Sequence, residues 1–267
     1  MHPKLKIFQE KDKSFDEKGK KAQLHSPIKA LKTLPKMQGI TQKTKKNLRL
    51  KAFSYLLFND HNKVFFRYFL KKPLKHFAGL FKSYLKKSFY KKEGDFFLFN
   101  IKSTEEFKKI IKDDSFIFLL GFSYCHKPLE CPSGRFTDKC MRDFNNSTCQ
   151  QCFIGKCAYL MENTKAKLLF IPTIHYIGEK IFEFKEKYPA KKLAFLITAC
   201  ELSLEMFKDF GNMLELPGIG VRLDGRICNT MKAFKLSEKG IKPNLTVVLE
   251  NTQKNILDIL KELYLIS

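Results

Sequence analysis

Tryptophan is absent from this 267-residue sequence, and acidic residues are outnumbered 27 to 50 by Lys and Arg. No window approaches the ~18 uninterrupted apolar residues that a membrane-crossing helix needs, which excludes an integral helical membrane protein. Residues 1–40 carry charge throughout and lack the apolar centre of a secretory leader, so a secreted, disulfide-stapled framework is not expected. The chain is read as cytoplasmic, with a peripheral membrane contact left open. Glycine-rich phosphate loops are missing too: Gly218-Ile-Gly220 lacks a third glycine and lies in a strand-like run, so it is no dinucleotide fingerprint. Neither His126 nor His175 has a Ser or Cys partner identifiable from spacing, and a hydrolase is not supported. Both read as hydrogen-bonded structural residues, although His126 adjoins a candidate ligand and can replace a thiolate.

Cysteine is what the chain does have. Six of its eight cysteines, Cys125, Cys131, Cys140, Cys149, Cys152 and Cys157, fall within thirty-three residues, and Cys200 and Cys228 follow separately. In a reducing compartment, clustered thiols with a C-x2-C pair point to a metal site, and Cys149/Cys152 supply that pair. Two intervening residues let both sulfurs face one ion while backbone amides of the turn donate to them. The other gaps match neither a zinc ribbon nor a ferredoxin run. The competing reading makes some of these thiols small buried hydrophobes. All eight are candidate ligands, and eight exceed the four a structural zinc requires, which favours a second centre or a redox role. An iron–sulfur cluster is the expected cofactor and zinc the alternative.

Charge divides the chain. Residues 1–92 contain 25 basic and 5 acidic residues, while residues 93–267 contain 25 and 22. A net charge of +20 in the first third predicts a polyanionic partner, either nucleic acid or an anionic membrane surface, against compositional drift toward Lys and Phe. Residues 1–46, interrupted by Pro27 and Pro35, read as a basic flexible arm. Residues 47–92 read as a basic amphipathic helical region: Phe65, Phe66 and Phe69 precede Pro73, and Phe77, Leu80, Phe81, Tyr84 and Leu85 follow it, with Lys82, Lys86 and Lys87 interleaved. Such a stripe packs on its own domain more often than on a partner.

Residues 93–267 read as a cysteine-rich α/β domain. Ser103-Thr-Glu-Glu106 is a capping box that opens a short helix. Apolar strand-length runs over 115–121, 167–171, 192–198, 217–222 and 245–249 alternate with helical segments over 174–187, 201–210 and 251–264. The fold class is therefore α/β: a mostly parallel sheet with flanking helices and an inserted cysteine-rich metal-binding segment, preceded by the basic helical N-terminal region. Right-handed crossovers place all strand-end turns on one edge. Cys200 and Cys228 are accordingly expected to meet there with at least two of Cys125, Cys131, Cys149 and Cys152, in one thiol-lined crevice with Glu201 at its rim. Cys200 sits where a strand runs into a helix, whose dipole favours thiolate. Cys200, Glu201 and Cys228 are the candidate reacting groups, and no reaction can be assigned to them.

Four pieces in order, Phe116-Ile-Phe-Leu-Leu leading to Cys125 and Cys131-Pro132, Cys149-x2-Cys152-Phe-Ile154-Gly155, Thr198-Ala-Cys-Glu201 and Cys228-Asn-Thr230, resemble the domain of unknown function 116 family over about residues 113–236. The resemblance implies a cysteine-centred α/β fold and no particular reaction. Where that family tends to run C-x2-C-x2-C, this chain has Gly155-Lys156 before a displaced Cys157.

Overall fold

The computed structural model describes residues 3–29, 39–60, 63–85, 90–242 and 245–267. Among the described residues, six of eight strands form the central sheet: β1 (Lys91–Glu93), β2 (Phe96–Phe99), β3 (Phe116–Ser123), β4 (Lys167–Ile171), β5 (Lys192–Ala199) and β6 (Gly218–Arg222). Their spatial order is β1-β2-β6-β5-β3-β4, with β6, β5, β3 and β4 parallel, as the alternating pattern predicts. The first two strands add an antiparallel hairpin at the β6 edge. Its turn passes through Gly94 at φ 59°, a left-handed conformation that costs glycine nothing. The sequence pattern does not reveal this hairpin, because all four residues of β2 are buried and no polar alternation marks it.

The helices follow in chain order as α1 (Pro3–His25), α2 (Gln42–Lys45), α3 (Leu48–Phe58), α4 (Val64–Lys71), α5 (Pro73–Leu85) and α6 (Thr104–Lys112). Then come α7 (Ser147–Gln150), α8 (Phe153–Leu160), α9 (Ile174–Lys187), α10 (Glu201–Met213), α11 (Met231–Ser237) and α12 (Glu250–Ile266). Side chains alternate across the sheet and build two cores. Phe118, Leu120, Phe122, Leu196 and Val221 pack against α6, α8 and α12, while Leu119, Phe195 and Ile197 pack against α9 and α10. Gly218 and Gly220 serve this packing: a Cβ on Gly218 would stand 2.5 Å from the Phe195 carbonyl oxygen, and one on Gly220 2.5 Å from a Leu204 methyl.

The connections decide where a site can form. From β3 the chain passes through α8 to β4 on one side, then through α9 to β5 on the other side of β3. The carboxyl ends of β3 and β5 therefore flank the point where strand order reverses, the usual ligand crevice of a doubly wound sheet.

Two expectations are corrected. The arm over 1–46, expected to be flexible, forms the helix α1 over residues 3–25; residues 30–38, Pro35 among them, lie outside the described residues. Phe8, Phe15 and Ala22, seven residues apart, form its buried line. Phe8 meets Tyr264 edge-on at 5.3 Å, Phe15 lies 5.7 Å from Tyr159, and Lys156 pairs with Asp12 and Asp16 at 2.7 Å each. One apolar contact every two turns is too sparse to stand out in a Lys-rich segment. The second correction concerns residues 245–249. Only Thr246–Val247 are paired, as β8, in a separate ribbon with β7 (Asp224–Gly225), because Gly225 turns away at φ 83° and α12 begins at Glu250.

The two aromatic helices appear as α4 and α5, broken at Pro73, where proline suits the first helical turn. They lean on the α/β unit through Tyr68 stacked on Phe182 at 4.8 Å and ion pairs Lys71–Glu186 and Lys82–Glu215. Lys86 and Lys87 lie outside the described residues.

Truncating a buried phenylalanine costs about 3–5 kcal/mol. Phe15→Ala is expected to lower the urea midpoint by the equivalent of about 3 kcal/mol with far-ultraviolet dichroism retained; an unchanged midpoint would mean that α1 contributes nothing to the folded unit.

Candidate functional site

All eight cysteines are free thiols, and the structure sorts them into two groups and a singleton rather than one crevice. The first group stands at the strand reversal. Cys125 lies in a single 3-10 turn, Tyr124–His126, that continues β3, with the Ser123 hydroxyl accepting its amide at 3.4 Å. Cys200 follows β5 directly as the N-cap of α10, and its sulfur lies 3.2 Å from the Ser203 hydroxyl. The amide of Ser123 donates to Thr198 Oγ1 at 3.2 Å, which ties the two strand ends together. Cys228 arrives from beyond the Gly225 turn, in the loop that Thr230 converts into α11 by capping the amide of Ala233.

Cys200 and Cys228 hydrogen-bond to each other, and of the four further cysteines of which at least two are expected beside them, only Cys125 joins. Cys228 also hydrogen-bonds the Ser237 hydroxyl at 3.4 Å and receives Lys242 Nζ at 3.4 Å. The hydrogen bond from Cys200, with Lys242 beside it, outweighs burial and draws the Cys228 thiol down to about 6. The same bond and burial hold Cys200 well above the ordinary thiol value. The two sulfurs are thus pushed in opposite senses, Cys228 toward the thiolate and Cys200 toward the thiol. Burial opposes the charge of Lys242, but Cys125, Cys200 and Cys228 together keep its pKa above the ordinary value. A cavity of about 50 Å³ opens beside these groups, lined by Tyr124, Cys125, Cys200, Ser203, Ser237 and Glu238 over an apolar floor from β3, β4 and β5.

The second group belongs to the long segment between β3 and α7, of which residues 127–146 contain no helix or strand. Cys131 and Cys140 from that segment, with Cys149 in α7 and Cys152 at the N-cap of α8, line one cavity of about 20 Å³. The amides of Ile154 and Gly155 point at the Cys152 sulfur, and the amide of Asp143 at that of Cys149. Gly155 is required there, since a Cβ would stand 2.5 Å from the Cys149 carbonyl oxygen. Burial raises Cys149 to about 11 and Cys152 to about 12, with the neighbouring thiols of Cys140 and Cys131 adding to it. Lys127, only 2% exposed, places its ammonium beside them. It donates to the carbonyls of Gly134, Thr137 and Lys139 and to the Thr137 hydroxyl at 2.7–3.3 Å. Burial lowers its pKa, against the pull of Cys131, Cys140 and Cys152. Among the described residues, no three His, Cys, Asp or Glu side chains converge closely enough to hold a metal ion.

Four candidates fall elsewhere. Cys157, on the core face of α8, is fully buried and lines neither cavity. Glu201 is not at the thiol rim: its carboxylate turns to the hairpin side, 3.2 Å from Lys92 and 3.9 Å from Arg222. His175 bonds the carbonyl of Leu56 at 3.1 Å and ties α9 to α3. His126 packs on Phe153, and burial holds it near 4, so it is neutral at physiological pH. The sequence reading missed Glu238, Lys242 and Lys127. Only their place beside cysteines in space distinguishes them among so many charged residues.

Glu238 accepts the amide of Ile174 at 2.9 Å and a hydrogen bond from Tyr55, yet burial raises its pKa from 4.5 to about 8, with Cys200 adding to the rise. The folded state thus binds a proton that the unfolded chain releases near pH 4.5, and stability from this group falls as pH rises from about 5 to 8. Melting temperatures across that window are expected to decline more steeply in the parent than in Glu238→Gln; parallel curves would remove the buried protonated carboxyl.

No protein-family model, no curated protein and no solved structure matches this chain, so the resemblance to the domain of unknown function 116 family rests on its cysteine pattern.

Proposed function

We propose that this chain is a cysteine-rich metal-binding α/β protein in which Cys131, Cys140, Cys149 and Cys152 ligate one centre that fastens the segment 127–146 to the sheet domain. The observation that carries this reading is four thiols around one small cavity, with backbone amides aimed at two of the sulfurs and a buried ammonium alongside. Amide-to-sulfur hydrogen bonds are the usual outer support of thiolate ligands. Four thiolates on a divalent ion leave net negative charge, which Lys127 offsets from 2% exposure. A stretch of this length without regular structure also needs a fastening, and a structural ion supplies one. Convergence of the four sulfurs on an ion requires side-chain rotation from the arrangement described.

The donor set fits zinc or iron. A cavity of about 20 Å³ holds roughly one water-sized sphere and so suits a single ion. An iron–sulfur cluster on the same ligands, with the redox or sulfur-related role such clusters bring, requires the lining to open. Anaerobic purification followed by metal analysis and a visible spectrum separates the two. In either case Cys149→Ser/Cys152→Ser is expected to lose the metal and most of the melting temperature it supports, since such binding is worth on the order of 10 kcal/mol. Cys200→Ser/Cys228→Ser is expected to keep it. Unchanged metal content in the first variant would end this reading.

A second reading has its own observation. α3, α4 and α5 expose large apolar side chains that do not pack on the domain: Leu74 is 85% exposed, Phe58 82%, Phe81 64% and Phe77 61%. Beside them Lys72 and Lys75 are exposed, and their field adds to burial in lowering the pKa of Lys185. Apolar rings set among lysines suit an anionic membrane surface better than a nucleic acid, which offers phosphates but no hydrocarbon. The full chain is expected to sediment with phosphatidylserine vesicles, less so at high salt, and Phe77→Glu/Phe81→Glu is expected to abolish this. Equal binding by that variant, or self-association without vesicle binding, would remove the membrane role.

A further inference from the structure

The thiol group at the strand reversal is untouched by the metal reading, and its surroundings are those of a reacting pair. Cys200 and Cys228 share a hydrogen bond, Lys242 fixes the negative charge on Cys228, and α10, thirteen residues long, directs its N-terminus at Cys200. Cys200 lines the cavity of about 50 Å³, and Glu238 lines it too. That volume admits roughly three to five water molecules, enough for hydrogen peroxide and far too little for a nicotinamide ring or a peptide disulfide. Both thiols are nearly inaccessible, at 6% and 4% exposure, which closes the pair to large oxidants.

We propose that Cys200 and Cys228 are a two-electron thiol pair that reduces a small hydroperoxide, with Cys200 as the attacking sulfur and Cys228 as its base and then its disulfide partner. In the first step the Cys228 thiolate takes the proton of Cys200 as that sulfur attacks the near peroxide oxygen. The O–O bond breaks, and the departing hydroxide takes the proton of Glu238 and leaves as water. The products are a sulfenic acid on Cys200, a thiol on Cys228 and a Glu238 carboxylate. In the second step the Cys228 sulfur attacks that of Cys200, the S–O bond breaks, and the hydroxide leaves as a second water with the Cys228 proton. One hydroperoxide is reduced by two electrons, one disulfide is formed, and the Glu238 carboxylate recovers its proton from solvent. Glu238 suits the donor role because its burial keeps it protonated at neutral pH.

The full-length protein, reduced anaerobically and exposed to one equivalent of hydrogen peroxide, is expected to lose the mass of two hydrogens and to yield a linked Cys200–Cys228 peptide. Cys228→Ser, which lacks the base as well as the disulfide partner, is expected to react more slowly and to stop at a sulfenic acid on Cys200, trapped by dimedone, and Glu238→Gln to slow oxidation about a hundredfold, the low end of general-acid effects. Metal content measured in parallel should not change, which keeps this test apart from that of the four-thiol centre. Oxidation confined to Cys131, Cys140, Cys149 and Cys152, or wild-type peroxide consumption by Cys200→Ser, would overturn the assignment. Should Cys228→Ser fail to fold, the wild-type linkage and the Glu238→Gln rate decide.

Discussion

The parallel pairing of β3 with β5 is the constraint on which the molecule depends. Seven residue pairs, from Phe116↔Lys192 to Phe122↔Thr198, lock the two strands in register, and their side chains feed both hydrophobic cores. A slip of one residue would exchange the two faces and bury the wrong set on each side. The same register sets the last residues of β3 beside those of β5. Cys125 and Cys200, seventy-five positions apart in sequence, are thereby brought to one edge. Cys228 joins them because β6 pairs with β5 and the chain then turns back at Gly225.

Around both thiol groups burial works against the charged form of sulfur, and on Cys149 and Cys152 it is the leading influence. At the four-thiol cavity burial raises Cys149 and Cys152, so that their neutrality is favoured until something supplies positive charge. Lys127 supplies part of it while its ammonium also gathers the carbonyls of Gly134, Thr137 and Lys139, a cation used as a loop organiser. At the strand reversal Lys242 does the equivalent for one sulfur, and a hydrogen bond between thiols completes the stabilisation. Two lysines of ordinary appearance, one beside each group, thus give the cysteines opposite characters. One set is suited to holding an ion and the other to reacting.

Glu201 shows how direction overrides adjacency. It follows Cys200 by one residue, yet successive residues at a helix start project to different sides, and Glu201 points toward Lys92 and Arg222 at the hairpin edge. The carboxyl that does line the thiol cavity, Glu238, comes from the end of α11, thirty-eight residues downstream. α1 is an analogous case: its Lys-rich composition suggests solvation, but three residues at seven-residue spacing find partners on α7, α8 and α12 and hold it to the domain.

The sequence by itself determined the elements whose signals are local and repeated. The buried runs of β3, β4, β5 and β6, the capped helix α6, the helices α9 and α10 and the break at Pro73 follow from apolar periodicity and from capping or proline chemistry within a few residues. It also allowed Cys149 and Cys152 to share one site, because a two-residue gap lets both reach the same cavity, which both line. Tertiary structure alone decided which cysteines meet. Strand order depends on crossover side and register, properties of pairs of distant segments, and these separated Cys131, Cys140, Cys149 and Cys152 from Cys125, Cys200 and Cys228 and left Cys157 in the core. It alone selected Lys127, Lys242 and Glu238 from 50 basic and 27 acidic residues, since a charged side chain acquires its role from the burial and neighbours that only the folded chain provides.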